Sequence, residues 1–464
     1  MPEKKRPFHL APPQTIAVGF AVIILLGACL LCLPIASRSG HSIGFLNALF
    51  TATSATCVTG LVVVNTLQHW TLFGHIVILA LIQLGGLSFI SILTLNMVIL
   101  RRRIPLRNRT VIQASFNQDS TAGMVRLVKK VVQVTLLAEG LGAALLFASF
   151  FFGDGMPLWQ ALGKGVFHAI SAFCNAGFDT LSAESLVPWQ GSLPINLIIM
   201  ALIIAGGLGF TVWGDIGDAA KRGKRRSLRI RFIHLKLHTK IALIMTAALI
   251  LLGVGLFLAL EWNNPETLGP LSVPGKVLAA FFQSVTLRTA GFNSISQAGL
   301  TDFSKIISSF LMIIGGSPAG TAGGFKTVTL GVVLLAMLSA LRGHDRVQAL
   351  GRTLPLALLQ KALAVICTLL GVVFTATLIL HFSEMNSPFP HDILDLFFET
   401  SSAAGTVGVT TGITPHLSLT GKIVIILCMY IGRLGPVTVA MALNMRRHAT
   451  AGSLSYPDER VIIG

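Results

Sequence analysis

Long apolar segments come in pairs along this chain, and a cluster of basic residues closes off each pair. The segments run over 14–36 and 70–99, 128–152 and 193–214, 240–260 and 304–340, and 355–380 and 419–444. Each is long enough to carry a helix across about 30 Å of hydrocarbon, and none shows the two-residue alternation of a strand. Lys and Arg gather between the pairs: Lys4 to Arg6; Arg101, Arg102, Arg103, Arg107 and Arg109; Arg126, Lys129 and Lys130; Lys221 through Lys240; Arg342, Arg346 and Arg352; Arg446 and Arg447. The connections inside the pairs carry acids instead, among them Asp154, Glu184, Glu261, Glu266, Glu384, Asp392 and Asp395. Basic flanks stay on the cytoplasmic side, so every pair is predicted to cross out and back, with both termini inside.

Composition agrees. The chain is 53% hydrophobic and 11% charged, against about 25% charge in a soluble domain. A cytosolic or secreted enzyme and a nucleic-acid binder are excluded as first readings, even with a net charge of +17. The positive charge sits in loops that set topology beside membrane lipids, and no nucleic-acid partner follows from it. The six Cys lie in apolar surroundings, and the Cys29/Cys32 pair falls inside a helix candidate with no second ligand pair, so no disulfide framework or metal site is expected. The charged start, Met1 to Leu10, leads into an apolar segment without a small-residue cleavage site, which predicts a retained first helix. No H-E-x-x-H, G-x-S-x-G or P-loop is present, so neither an enzyme nor a covalent cofactor is expected.

Within each pair, the external connection holds a short apolar stretch that ends in small and hydroxyl residues and a Gly. The four stretches read F-T-A-T-S-A-T-C-V-T-G-L from Phe50, F-H-A-I-S-A-F-C-N-A-G-F from Phe167, F-F-Q-S-V-T-L-R-T-A-G-F from Phe281 and F-E-T-S-S-A-A-G-T-V-G-V from Phe398. Their glycines, Gly60, Gly177, Gly291 and Gly408, are 117, 114 and 117 residues apart, each ten positions after a Phe. Ser54, Ser171 and Ser402 stand six before the glycine, while the third repeat has Ser284 one place earlier. This is an internal fourfold repeat. The repeats are bounded at 10–103, 125–222, 232–342 and 354–448, with pore loops at 46–64, 159–181, 275–295 and 392–412 and a cytoplasmic tail at 449–464.

A chain that enters the membrane, makes a half-helix and returns leaves non-helical backbone at membrane depth, which is tolerated only in buried protein or along a watery path. Four such loops around one axis present a ring of carbonyls of the kind that replaces a potassium ion's hydration shell. Thr406-Val407-Gly408-Val409 resembles the first four residues of the T-V-G-Y-G potassium-channel filter. The expected fold is therefore an all-α polytopic membrane protein: four helix–pore-loop–helix repeats, eight transmembrane helices, around one pseudo-fourfold ion pore.

The whole chain resembles the Trk/Ktr/HKT superfamily of potassium transporters, and most closely its bacterial KtrB-type membrane subunit. The resemblance rests on A-T-C-V-T-G-L at Ala55–Leu61, F-C-N-A-G-F at Phe173–Phe178, R-T-A-G-F-N at Arg288–Asn293 and G-T-V-G-V at Gly405–Val409. G-G-S-P-A-G-T-A-G-G-F-K-T at Gly315–Thr327 and G-R-L-G-P at Gly432–Pro436 strengthen it. Trk-type members carry a further helix pair ahead of the first repeat, and this chain begins too close to its first repeat for one. The resemblance implies ion-coordinating carbonyls at Val58, Thr59, Gly60 and Leu61; at Asn175, Ala176, Gly177 and Phe178; at Thr289, Ala290, Gly291 and Phe292; and at Thr406, Val407, Gly408 and Val409. In the family, Gly at all four filter positions goes with potassium, whereas Ser in the first goes with sodium in some plant members. Potassium is then the substrate, the only metal ion implied, and sodium is a candidate activator.

Past each filter stands a Gly pair or cluster: Gly85 and Gly86, Gly206 and Gly207, Gly315 and Gly316, then Gly432 with Arg433. In the first two repeats these read as helix-crossing points. Residues 315–327 differ, with five Gly, one Pro and three hydroxyl residues, a composition that breaks a helix because Gly costs about 1 and Pro about 3 kcal/mol relative to Ala. The segment Gly315, Gly316, Ser317, Pro318, Ala319, Gly320, Thr321, Ala322, Gly323 and Gly324 is predicted to be a gating loop, as the resemblance also implies, and Arg433 at the matching place in repeat four is read as part of the gate. Lys326 lies nearer the cytoplasmic side and receives no role. Arg288 and Glu399 are placed either paired behind the filter or separately exposed to the outer vestibule, and His168 is taken as a packing residue of its pore helix. The resemblance further implies a separate cytosolic nucleotide-binding (KtrA-like) regulatory ring and a homodimer of two pores, with the basic loops 221–240 and 341–352 as docking surfaces. An alternating-access carrier is the competing reading; four repeats in one orientation, each with a pore loop, favour a pore.

Overall fold

The computed structural model describes residues 11–87, Ser91, Thr94, Thr110, Val111, Gln113, 124–222, 228–344, 346–385 and 387–444. The basic clusters at Lys4 to Arg6, Arg101 to Arg109 and Arg446–Arg447, residues 223–227 of the loop 221–240, and the tail 449–464 lie outside the described residues.

Each repeat begins with a long outer helix: Pro12–Leu31, Met124–Ala148, Leu237–Glu261 and Leu356–Glu384. The second runs on through a π-helical turn, Ser149–Gly153. These four are the helices among the described residues that are long and apolar enough to cross a membrane unaided. Leu136, Leu137, Leu251, Leu252, Phe374 and Leu378 are exposed along them, as suits a surface whose solvent is hydrocarbon rather than water.

A shorter pore helix follows in every repeat: Phe45–Cys57, Leu158–Phe173, Val273–Thr286 and Ile393–Gly405. Its small and hydroxyl residues are what permit burial on all sides: residues from Phe50 to Cys57 and from Phe398 to Gly405 are buried without a break. The Phe ten before the glycine is buried in repeats one, two and four, but in repeat three Phe281 is half-buried and its neighbour Phe282 takes the interior place.

The inner helices depart from the continuous segments expected. They are Leu72–Gly86, Leu193–Gly207, Asp302–Ile313 and Leu419–Leu434. The second bends by 95° into Phe210–Arg222, across Gly209 at φ +86. The third is interrupted by the 315–326 segment and resumes as Thr327–Leu341. The fourth breaks at Gly435 (φ +83) and restarts at Pro436, a residue whose ring and missing N–H cannot continue a helix.

Polar contacts close the ring in chain order. The Asn65 amide donates to Ala183 O at 3.3 Å (repeats one and two) and Leu186 N to Asn293 O at 2.9 Å (two and three). Lys305 pairs with Asp395 at 3.0 Å (three and four), and the Tyr430 hydroxyl donates to Ala17 O at 2.6 Å (four and one). A small hairpin, Gln348–Ala349 paired with Arg352–Thr353, sits in the basic loop between the third inner and fourth outer helices.

Candidate functional site

The four pore helices end against one another in a repeated backbone figure. Two residues before each glycine stands a non-glycine residue in the left-handed region: Val58 (φ 57), Asn175 (φ 59), Thr289 (φ 67) and Thr406 (φ 53). The glycines also have positive φ: Gly60 98, Gly177 69, Gly291 84 and Gly408 94. For Val and Thr this conformation costs on the order of 1–3 kcal/mol and persists only where the surroundings impose it. Alternating backbone of this kind turns successive carbonyls toward the same side instead of opposite sides. The pore helices aim their C-terminal ends, the negative ends of their dipoles, at the same place, which suits a cation.

The glycines are where neighbouring loops meet. A Cβ at Gly60 would lie 2.6 Å from Ala176 O, one at Gly177 2.7 Å from Gly291 Cα, and one at Gly291 2.7 Å from Val407 O. A Cβ at Gly408 would collide with Thr59 O, completing the circuit. The other twelve predicted filter residues are buried.

Side chains from the pore helices hold these loops, by two different bonds. Ser54 Oγ accepts from Gly60 N and Ser402 Oγ from Gly408 N, both at 3.0 Å. Ser171 Oγ instead donates to Phe178 O at 2.8 Å, and Thr286 Oγ1 donates to Phe292 O at 2.6 Å. Sequence reasoning missed Thr286. Ser284, placed in register with the other serines, donates to Ile250 O at 2.7 Å in the outer helix, so its role falls to the hydroxyl two residues on.

Residues 6–449 match the sequence model of the cation transport protein family TrkH. The chain belongs to that family. It is similar to the potassium/sodium uptake protein NtpJ of Enterococcus hirae, 40% identical over 98% of each chain. It is likewise similar to the Ktr system potassium uptake protein B of Bacillus subtilis, 39% identical over 98% of this chain and 97% of the relative. Among solved structures, the potassium transporter TrkH of Vibrio parahaemolyticus shares the fold, with a TM-score of 0.72, covering 96% of this chain and 87% of that one, at 18% identity.

In this TrkH-family chain the Gly-rich segment lies directly beneath the loops. Ser317 N donates to Gly207 O at 2.8 Å, Phe210 N to Ala319 O at 2.9 Å and Thr321 N to Gly206 O at 3.3 Å, so the segment is laid against the bend of the second inner helix. Thr321 Oγ1 donates to Phe173 O at 3.2 Å and to Asn175 Oδ1 at 3.1 Å. The Asn175 amide reaches Arg288 O and Thr289 Oγ1, each at 3.4 Å. Gly323 is pressed against the Thr406 side chain with no room for a Cβ. Ser317, Thr321 and Ala322 are buried.

Arg433 reaches this segment from the fourth repeat. Its guanidinium donates to Thr321 O and to Gly85 O, with Gly86 O at 3.5 Å. Lys326, which had no role, donates through Nζ to Ala322 O at 2.6 Å and Gly323 O at 3.1 Å, tying the segment to itself. Gly85, Gly206 and Gly432 each face a carbonyl near the end of their own pore helix (Thr56, Phe173 and Ala404), with no space for a side chain.

The structure does not pair Arg288 with Glu399. Arg288 Nη1 donates to Thr246 O at 3.2 Å, whereas Glu399 accepts from Thr410 Oγ1 at 2.7 Å and from Thr414 Oγ1. Both are buried, so neither stands in an outer vestibule; each finds neutral partners in its own repeat. His168 is more than packing, because its Nε2 lies 3.1 Å from Asp179 Oδ1. A further buried acid escaped the sequence reading: Glu139, midway along the second outer helix, accepts from Gln83 Nε2 at 3.1 Å and lies 3.7 Å from Cys174 Sγ. A lone carboxylate in an apolar span was the available signal.

Proposed function

We propose that the protein is the potassium-translocating, channel-like membrane subunit of a bacterial potassium uptake system. The observation that carries this reading is the left-handed residue two positions before a positive-φ glycine, repeated in all four loops around one axis. It supports an ion path lined by the carbonyls of Val58 to Leu61, Asn175 to Phe178, Thr289 to Phe292 and Thr406 to Val409, which take over the cation's hydration shell. The segment Gly315 to Thr327, held by Arg433, is the closed gate below that path. The uptake functions named for the E. hirae and B. subtilis relatives favour potassium as the transported ion; sodium is proposed in addition as an activator. The word system in the Ktr relatives' names favours a partner, which we take to be a cytosolic nucleotide-binding ring docked on the basic loops 221–240 and 341–352. Two copies pair in the plasma membrane, termini inside.

Uptake of labelled potassium into depleted cells tests the reading, with sodium and rubidium as competitors and the partner present or absent. Potassium uptake that rubidium inhibits and excess sodium does not is the expected result. Equal inhibition by sodium, or no uptake above the empty-vector control, refutes it.

A further inference from the structure

In three of the four repeats, a polar side chain of the pore helix is bonded to the segment that leaves the filter. In the second, His168 stands nine residues before Gly177, and its Nε2 lies 3.1 Å from Oδ1 of Asp179, two residues after that glycine. In the third, Gln283 and Gln297 exchange amide hydrogen bonds of 2.7 and 3.0 Å. In the fourth, Glu399, nine before Gly408, accepts from Thr410 and Thr414. The first repeat departs from this. Thr51, at the same position, donates back to Asn47 O of its own helix at 3.0 Å.

The second bracket reaches furthest. Asp179 accepts from Ser185 Oγ at 2.8 Å as well, and Ser185 Oγ accepts from Asn293 N at 3.2 Å, two residues past the glycine of repeat three. One chain of bonds therefore runs from pore helix two through its own exit segment to that of the next repeat. Its first link is the imidazole of His168. His168 Nδ1 faces Lys164 O at 2.7 Å, a pure acceptor, so Nδ1 carries hydrogen. Nε2 then lies between an acceptor, Asp179 Oδ1, and a donor, Thr180 N at 3.3 Å. Through these two contacts the ring is tied to the exit segment. The rings of Phe150, Phe167 and Phe292 surround the imidazole, and His75 lies edge-on to Phe167 beyond them. Asp179 and the one-turn-earlier Lys164, in contact through its carbonyl, are the charged residues bonded to the ring.

We propose that His168 and Asp179 are positioning residues for ion selection, fixing the exit carbonyls of the second and third filter loops so that they discriminate potassium from sodium. The inference rests on the reading of the four loops as a filter. The test is rubidium uptake with sodium as competitor, per molecule of inserted full-length protein with its partner.

His168→Leu lowers discrimination by about fivefold or more, the effect of one lost hydrogen bond. Asp179→Ala breaks the same bond from the loop side without altering the pore helix, and it decides the matter if His168→Leu fails to insert. Asp179→Asn, whose amide keeps a group for Nε2 and an acceptor for Ser185, recovers most of the discrimination lost in Asp179→Ala. If the inserted His168→Leu and Asp179→Ala proteins discriminate as the parent does, while Gly60→Ser has lost discrimination, the bracket is wrong and the filter stands. If Gly60→Ser also discriminates normally, the filter reading falls and takes this inference with it.

Discussion

Replacing Arg433 should open the pathway, and the structure sets the size of the effect. Its guanidinium is where three repeats meet, because it leaves the fourth inner helix and donates to Gly85 O in the first repeat and Thr321 O in the Gly-rich segment of the third. Hydrogen bonds from a charged donor contribute about 1.5–3 kcal/mol each. Taking the lower value for two bonds, and none for the 3.5 Å contact to Gly86, the closed arrangement loses about 3 kcal/mol in Arg433→Ala, on the order of a hundredfold in the open-to-closed ratio. Removal of the positive charge acts in the same direction, since a cation beneath the filter repels potassium where little water screens it.

Arg433→Lys keeps the charge but not the planar fork, and one ammonium does not reproduce a grip on two carbonyls from different repeats. Its uptake should fall between parent and alanine variant. The assay is initial potassium uptake divided by the amount of protein in the membrane. A purely architectural role would lower the amount inserted and leave uptake per molecule as it was. Unchanged uptake per inserted molecule in Arg433→Ala refutes the reasoning and leaves the segment itself as the only barrier.

Gly60→Ser should weaken potassium over sodium discrimination by tenfold or more, on the order of 1.4 kcal/mol. The new Cβ lies 2.6 Å from Ala176 O on backbone at φ +98, so the second loop must move; competition by sodium in rubidium uptake measures it. Deleting 316–323 removes the segment's bonds to Gly206 and Gly207 and the acceptor of Arg433, so flux should rise severalfold and depend less on the partner; an inserted deletion protein that conducts no faster places the barrier elsewhere. Thr286→Val keeps the side chain's shape and removes the bond to Phe292 O, which should reduce discrimination about fivefold, the effect of a bond worth about 1 kcal/mol. Removing the hydroxyl in Ser284→Ala should leave discrimination alone, because that hydroxyl points to Ile250 O.

The glycine register and the Gly-rich segment could be read from the chain because both are one-dimensional signals: a fixed spacing, and a composition no membrane helix tolerates. Ser54 and Ser402 were legible for the same reason, and they do bond their own glycines. Thr286 was not, since repeat three shifts its register by one around Phe281 and Phe282 and moves the useful hydroxyl with it. The breaks in the inner helices were only half visible. Gly435-Pro436 announces one, but the bend after Gly207 exists because Ala319 O and Ser317 N from another repeat take up the freed backbone groups. The partners of Arg288 and Glu399 were guessed from charge, whereas the fold gives each the hydroxyls and carbonyls of its own repeat.

The two halves of the pathway are not mechanically independent, and Asn175 is the reason. Its backbone is one of the four left-handed residues, and its side chain accepts from Thr321 of the lower segment while donating toward Arg288 O and Thr289 of the third loop. Any displacement of the segment large enough to let an ion pass breaks the Thr321 bond and frees the carbonyl end of the Asn175 side chain. The second and third loops then lose part of what holds them in a strained conformation, and Thr406 loses its contact with Gly323. The first loop is touched by none of these contacts, and it also lacks the polar bracket found in the other three. Its glycine register therefore rests on Ser54 and on the close approach of Ala176 and of the fourth loop at Gly408. If the four loops are the proposed filter, its unequal repeats leave three quadrants coupled to the Gly-rich segment or braced from behind, and one whose geometry depends on the absence of a Cβ at Gly60.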